Sequence, residues 1–148
     1  MKLYVDGDAF PNLLKPILFR AIEKKGLETL VFSNKRINIG QSSLIEYRLV
    51  ELGADEADNK IVDEVQAGDL VITADIPLAD RVIAKQAHAL DHRGVMFTVD
   101  NIKERLAVRD LMQNIRDMGE MTRGPAPFSQ KDSALFANAL NAFLQKYL

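Results

Sequence analysis

Five aspartates in this chain sit where an α/β fold gathers its chemistry. Asp6 closes the short apolar run Leu3–Val5 and Asp8 follows it, while Asp75 closes a second run that begins at Leu70. Asp55 and Asp58 open a helical stretch between the two. In an open parallel sheet, ligands bind beyond the carboxyl ends of the strands, and neighbouring strands would bring Asp6 and Asp75 together at that edge. Carboxylates so gathered repel one another unless a cation joins them. Mg²⁺ or Mn²⁺, hard and oxygen-seeking, suits such a set, and one or two such ions polarise a phosphodiester and activate water against it. Asp6, Asp8, Asp55, Asp58 and Asp75 are therefore the expected metal ligands. Each also has a purely structural reading. Asp8 and Asp75 could cap helix N-termini, and Asp55 and Asp58 stand where acids favour a helix dipole. Asp80, one turn past Asp75, reads as part of a solvated face.

Other catalytic arrangements find little to build on. The chain has no cysteine, which excludes disulfides and thiolate zinc sites. Its two histidines, His88 and His92, have the i, i+4 spacing of a helical metal pair, but Asp91, Arg93 and Gly94 suggest a helix already ending there, so a structural role is expected for both. The formal net charge of -2 speaks against a broad nonspecific nucleic-acid surface. It leaves room for a few cations around an acidic site. Lys15 and Arg20 on the first helix, Lys35 and Arg36 after the second strand, and Arg123 in a late glycine-proline loop are candidates for phosphate contacts. Asn34 and Ser42 could line the same site. Of these, Lys15, Asn34, Arg36 and Ser42 are the expected substrate-binding residues. No stretch approaches the ~20 apolar residues of a membrane span. The N-terminus runs directly into a strand with no signal-peptide layout. A cytoplasmic protein with no membrane partner is expected.

The elements that must position these groups follow from periodicity. Strands are expected over 2–6, 28–33, 46–50, 69–75 and 95–99. Helices are expected over 13–26, with Pro16 disturbing the first turn, over 55–68, over 76–90, from Asp100 (as cap) to about 119, and over 131–147. Leu135, Phe136, Ala139, Leu140, Phe143 and Leu144 would face inward from the last. Strand–helix alternation implies right-handed crossovers and a mostly parallel sheet of four to five strands flanked by helices. The length, 148 residues, suits one domain over 1–148.

Three segments in this order and spacing carry a resemblance: VDGDAFPN near the start, GADEADNKIVDEVQAGDLVITADIPLA in the middle and GPAPFSQKDSALFANAL near the end. Together they resemble the YaiI/YqxD family of bacterial proteins, which is grouped with PIN-like domains, and the resemblance covers nearly the whole chain. It implies a three-layer PIN-like α/β fold and, by analogy with active PIN-like members, a Mg- or Mn-dependent ribonuclease with RNA as partner. The first acid of that superfamily corresponds to Asp6. Its acid at a helix start and its strand ending in Thr-x-Asp correspond to Asp58 and to Thr73-Ala74-Asp75. Asp6, Asp58 and Asp75 are thus the implied catalytic residues. The glutamate usual between them has no clean counterpart. Glu46 falls in the right interval but reads as strand, and Asp8 or Asp55 could substitute. That departure leaves open a non-catalytic PIN-like module binding RNA or protein. A third possibility, a haloacid-dehalogenase-type phosphatase, shares the Asp-x-Asp after strand one, with Asp6 as nucleophile. Phe10 and Pro11 depart from its pattern.

Overall fold

The computed structural model of the protein describes residues 1–53, 55–119 and 126–148. Arg123 lies outside them. Among the described residues one sheet of six strands runs through the molecule in the order β3-β2-β1-β4-β5-β6. The strands are β1 Leu3–Asp6, β2 Thr29–Ser33, β3 Ile45–Leu49, β4 Leu70–Ile72, β5 His88–Leu90 and β6 Met96–Phe97. All neighbours pair in parallel except β5 and β6. The helices are α1 Lys15–Lys25, α2 Glu56–Glu64, α3 Ile76–Ala84, α4 Val99–Asp117 and α5 Gln130–Tyr147. The expected α/β layering and mostly parallel sheet are present, consistent with a three-layer PIN-like fold. The strand count is higher than the expected four to five.

The central strands are buried along their whole length, as sheets covered on both faces require. Strand alternation then sorts their side chains. Leu3, Val5, Val31, Leu70, Ile72 and Leu90 meet α1 and α5 through Leu18, Ile22, Phe136 and Leu140. Tyr4, Leu30, Phe32, Val71 and Ala89 meet α2, α3 and α4 through Ile61, Leu78, Val82 and Ile102. Asp6 and Thr73 continue the second set and so fall on the α2–α3 face.

Several expected boundaries shift for identifiable reasons. Pro16 does not disturb α1. A 3₁₀ turn over Asn12–Leu14 precedes the helix, which places Pro16 in the first helical turn, where its missing N–H costs nothing. α2 ends at Glu64, not at Gly68, because Val65 turns to extended backbone. The helix expected over 76–90 stops at Ala84, and 88–90 become β5. Lys85-Gln86-Ala87 favours a helix locally, but pairing with β4 overrides propensity. α4 is capped by Thr98 in a reciprocal box with Asn101, not by Asp100. On α5 Leu135 is exposed rather than inward, while Phe136, Leu140, Phe143 and Leu144 are buried. No helix among the described residues is long and apolar enough to cross a membrane.

The β5–β6 turn is tied down tightly. Asp91 Oδ1 accepts from the backbone N–H groups of Arg93 (2.9 Å) and Val95 (2.8 Å), and Arg93 reaches Asp132 on α5 at 2.8 Å. Gly94 sits at φ 89, and a Cβ there would stand 2.6 Å from the carbonyl oxygen of Leu135. Both the backbone angle and the α5 backbone exclude a side chain. Gly94→Ala should therefore lower stability by about 2 kcal/mol or more, read as a lower urea midpoint at unchanged slope. An unchanged midpoint would contradict this packing.

Candidate functional site

The strand order reverses between β1 and β4: the chain builds outward from β1 to β3, then returns to β1's other side. The crevice at the carboxyl ends of these two strands is the place where open α/β sheets bind ligands. Here it holds a cavity of about 340 Å³ walled by all five expected metal ligands, Asp6, Asp8, Asp55, Asp58 and Asp75, together with His92.

Each acid reaches the cavity by a different route. Asp6 ends β1 and is buried. Its Oδ2 accepts from Thr73 Oγ1 at 2.9 Å and its Oδ1 from the backbone N–H of Asp8 at 3.3 Å. Asp75 caps α3, its Oδ1 accepting from the Leu78 N–H at 3.0 Å. The same Thr73 hydroxyl accepts from the Asp75 N–H at 3.0 Å, so one side chain orients both strand-end acids. Asp58 projects from the first turn of α2, and Asp55 stands before that helix at φ 67 without a side-chain capping bond. Asp8 caps no helix. Its Oδ1 accepts from Ser33 Oγ and from the Asn34 N–H, both at 3.0 Å, and thereby clasps the end of β2. Glu46 lies on β3, exposed and ion-paired with Arg48, away from this cavity. Asp80 is not among its walls.

The electrostatics show a site overloaded with negative charge. Burial pushes the Asp6 carboxyl up to about 6; Thr73 and the Asp8 N–H oppose the rise, and the charges of Asp8 and Asp75 add to it. Burial and then the charges of Asp75, Asp6 and Asp55 push Asp58 up to about 7, helped by a hydrogen bond with Asp75. A carboxyl that binds its proton more tightly when folded loses stability for the fold as pH rises. For Asp6 the loss develops between its ordinary value of 3.8 and about 6, and a shift of this size corresponds to roughly 3 kcal/mol. His92 works in the opposite direction. Burial holds it down to about 4, so it is neutral at physiological pH, and the fold loses stability as pH falls from about 6.5 towards that value.

His92, expected just past the end of a helix, lies past a strand instead. It is not on a helix with His88. It follows β5, at the same carboxyl edge as the acids. It is buried edge-on against Phe10, and among the described residues its Nε2 has no hydrogen-bond partner. Recognition of His88-Ala89-Leu90 as a strand would have placed it there. The expected substrate contacts distribute themselves over two neighbouring cavities. Lys15, Asn34 and Arg36 line one of about 390 Å³ that shares Asp8 with the acid pocket. Ser42 lines a larger one beyond it, with its hydroxyl accepting from the Leu44 N–H at 3.1 Å.

The donor set fits a hard divalent cation: all five carboxyls are oxygen donors, and their mutual repulsion is what such an ion relieves. Among the described residues no three histidine or acidic groups stand in ready-made metal-binding geometry. Asp58 is hydrogen-bonded to Asp75.

A family model described as "uncharacterized BCR, YaiI/YqxD family" matches residues 4–146. The UPF0178 protein of Sulfurimonas denitrificans is 66% identical over 146 residues, covering 99% of this chain and 97% of that protein. Its counterpart in Sulfurovum sp. is 62% identical over 99% of both chains, and that of Syntrophotalea carbinolica 49% identical over the full length of both. No solved structure matches.

If the acids repel as described, Asp58→Asn should stabilise the protein in chelator at pH 8. The gain should be roughly 1 kcal/mol, discounted for the water that reaches a half-buried group. The advantage should shrink as pH falls and vanish only near pH 4, where Asp58 binds its proton in the unfolded chain as well. Paired denaturation curves at the two pH values check this, and a variant less stable than the parent at pH 8 would contradict it.

Proposed function

The chain belongs to the YaiI/YqxD family, and from that premise we propose that the acid pocket is a Mg²⁺- or Mn²⁺-dependent phosphodiesterase site whose preferred substrate is RNA. The observation that carries this proposal is the gathering of Asp6, Asp58 and Asp75 in one cavity at the topological switch point, where burial and neighbouring charge hold the protons of Asp6 and Asp58 more tightly than usual. Asp6, Asp58 and Asp75 would hold the cation, with Asp55 at the pocket mouth. Asp8 would contribute less directly, since its Oδ1 is already committed to the end of β2. When bound, the cation would supply charge neutralisation and polarise the phosphoryl group.

The chain's own residues supply the positioning. Thr73 and the Leu78 N–H fix the orientation of Asp6 and Asp75 before any ligand arrives, the preorganisation that electrostatic catalysis requires. Lys15 and Arg36, one cavity away, would hold the flanking phosphates. His92, neutral and without a partner at Nε2 among the described residues, can accept a hydrogen bond or a proton at that atom.

A second reading has a specific observation in its favour. Glu46 is occupied by Arg48 on the edge strand, so no glutamate joins the pocket from β3. A non-catalytic module that binds RNA would need none.

Purified protein should cleave single-stranded RNA at least tenfold faster in Mn²⁺ than in chelator. Asp6→Asn/Asp75→Asn, purified in parallel, should show no stimulation. Equal rates for parent and variant would refute the proposal. RNA binding without cleavage would favour the second reading.

A further inference from the structure

A cavity of about 960 Å³, larger than the acid pocket, lies apart from it. It lies between the loop joining β2 to β3 and the exposed edge of β3. Two shared walls connect it to the acids. The acid pocket and the middle cavity both include Asp8 and Ala9. The middle and large cavities both include Ser33, Lys35, Arg36 and Ile37.

Charge changes sign along this path. The large cavity has no acidic residue in its walls. Its Arg48 is neutralised by Glu46 and Glu64. Lys35 and Arg36 are exposed and, among the described residues, enter no ion pair. In a chain of formal net charge -2, two uncompensated cations beside an acid cluster form a local field that favours an anion. The remaining walls are of another kind. Ile37, Tyr47 and Leu49 are apolar, with Leu49 65% exposed, and Asn38 and Gln41 bring amide groups. Apolar surface, a few amides and one cationic end describe a site for a nucleobase with its phosphate.

The loop that forms the site is held in place. Tyr47 Oη accepts from the N–H groups of Ile39 (3.0 Å) and Gly40 (3.1 Å) and donates to the Gly40 carbonyl at 2.6 Å. Gly40 packs so closely on Phe19 that a Cβ would stand 2.4 Å from its ring. At its other end, Ser33 and the Asn34 N–H donate to Asp8. The same aspartate therefore borders the acid pocket and anchors the loop.

We propose that the cavity between the β2–β3 loop and strand β3 is a nucleotide-binding subsite, with Lys35 and Arg36 on the phosphate and Tyr47, Leu49 and Ile37 against the base. The identity of the ligand rests on the phosphodiesterase proposal, which makes the occupant one unpaired nucleotide of the RNA chain beside the bond to be cut. A base seated in a cavity cannot stay stacked in a duplex, so this subsite selects single strands.

The test is a titration of the full chain with adenosine and uridine 5′-monophosphate in chelator, followed by backbone amide shifts, with inorganic phosphate alongside. The expected result is shifts at 35–43 and 47–49, phosphate binding at least tenfold weaker than either nucleotide, and at least a tenfold loss of nucleotide affinity in Arg36→Ala and in Leu49→Ser. Both substitutions are at exposed positions and leave the core untouched. Asp6→Asn/Asp75→Asn should bind as the parent does. Absence of shifts in the loop, or phosphate binding as tight as nucleotide binding, overturns the proposal. Nucleotide binding without metal-stimulated cleavage would sustain the subsite and refute the phosphodiesterase. Cleavage without nucleotide binding would do the reverse.

Discussion

Everything about the candidate site depends on one unfavourable interaction: the repulsion among Asp6, Asp58 and Asp75 in a pocket that water only partly reaches. Burial alone would keep a carboxyl protonated, and here neighbouring charge adds to burial. A fold that keeps such a cluster accepts a stability cost at neutral pH. Strain of this kind is characteristic of sites that bind something. The structure limits that cost without removing it. Thr73 donates to Asp6, the Leu78 N–H donates to Asp75, and Asp58 remains half in solvent.

The sheet makes this juxtaposition unavoidable. Parallel pairing of β1 with β4 sets Tyr4 against Val71 and Val5 against Ile72, so the next step in register brings Asp6 to Thr73. Alternation turns both towards α2 and α3, whose first turns carry Asp58 and follow Asp75. The return of the chain across β1 opens the crevice there. Asp69 offers a contrast at the opposite end of β4. It is also buried, but its two oxygens accept from the N–H groups of Lys2 and Gln66, both at 2.9 Å. It closes a structural turn.

Much of this was legible in the sequence because the signals were local. Apolar runs ending in aspartate announced β1 and β4, and acids at a helix start announced α2. What escaped had tertiary causes. Lys85-Gln86-Ala87-His88-Ala89-Leu90 is good helix sequence, and only pairing with β4 makes its second half a strand. With β5 misread, His92 could not be placed at the acid edge. Thr98 rather than Asp100 capped α4 because β6 ended sooner than its β-branched residues suggested. The close approach of Gly94 to the α5 backbone at Leu135 is a contact no periodicity encodes. Asp8 illustrates a different limit. Its proximity to Pro11 suggested a cap, whereas its partners, Ser33 and Asn34, lie at and just past the end of β2.

The central claim is that the acid pocket takes up a divalent cation in place of protons. Calorimetric titration of Mn²⁺ at pH 6.5, repeated in buffers of different ionisation enthalpy, tests it most directly. The account predicts saturable binding that releases protons, because Asp6 and Asp58 still hold part of theirs at that pH, with both binding and proton release abolished in Asp6→Asn/Asp75→Asn. Absence of saturable binding, or binding that survives unchanged in that variant, would contradict it.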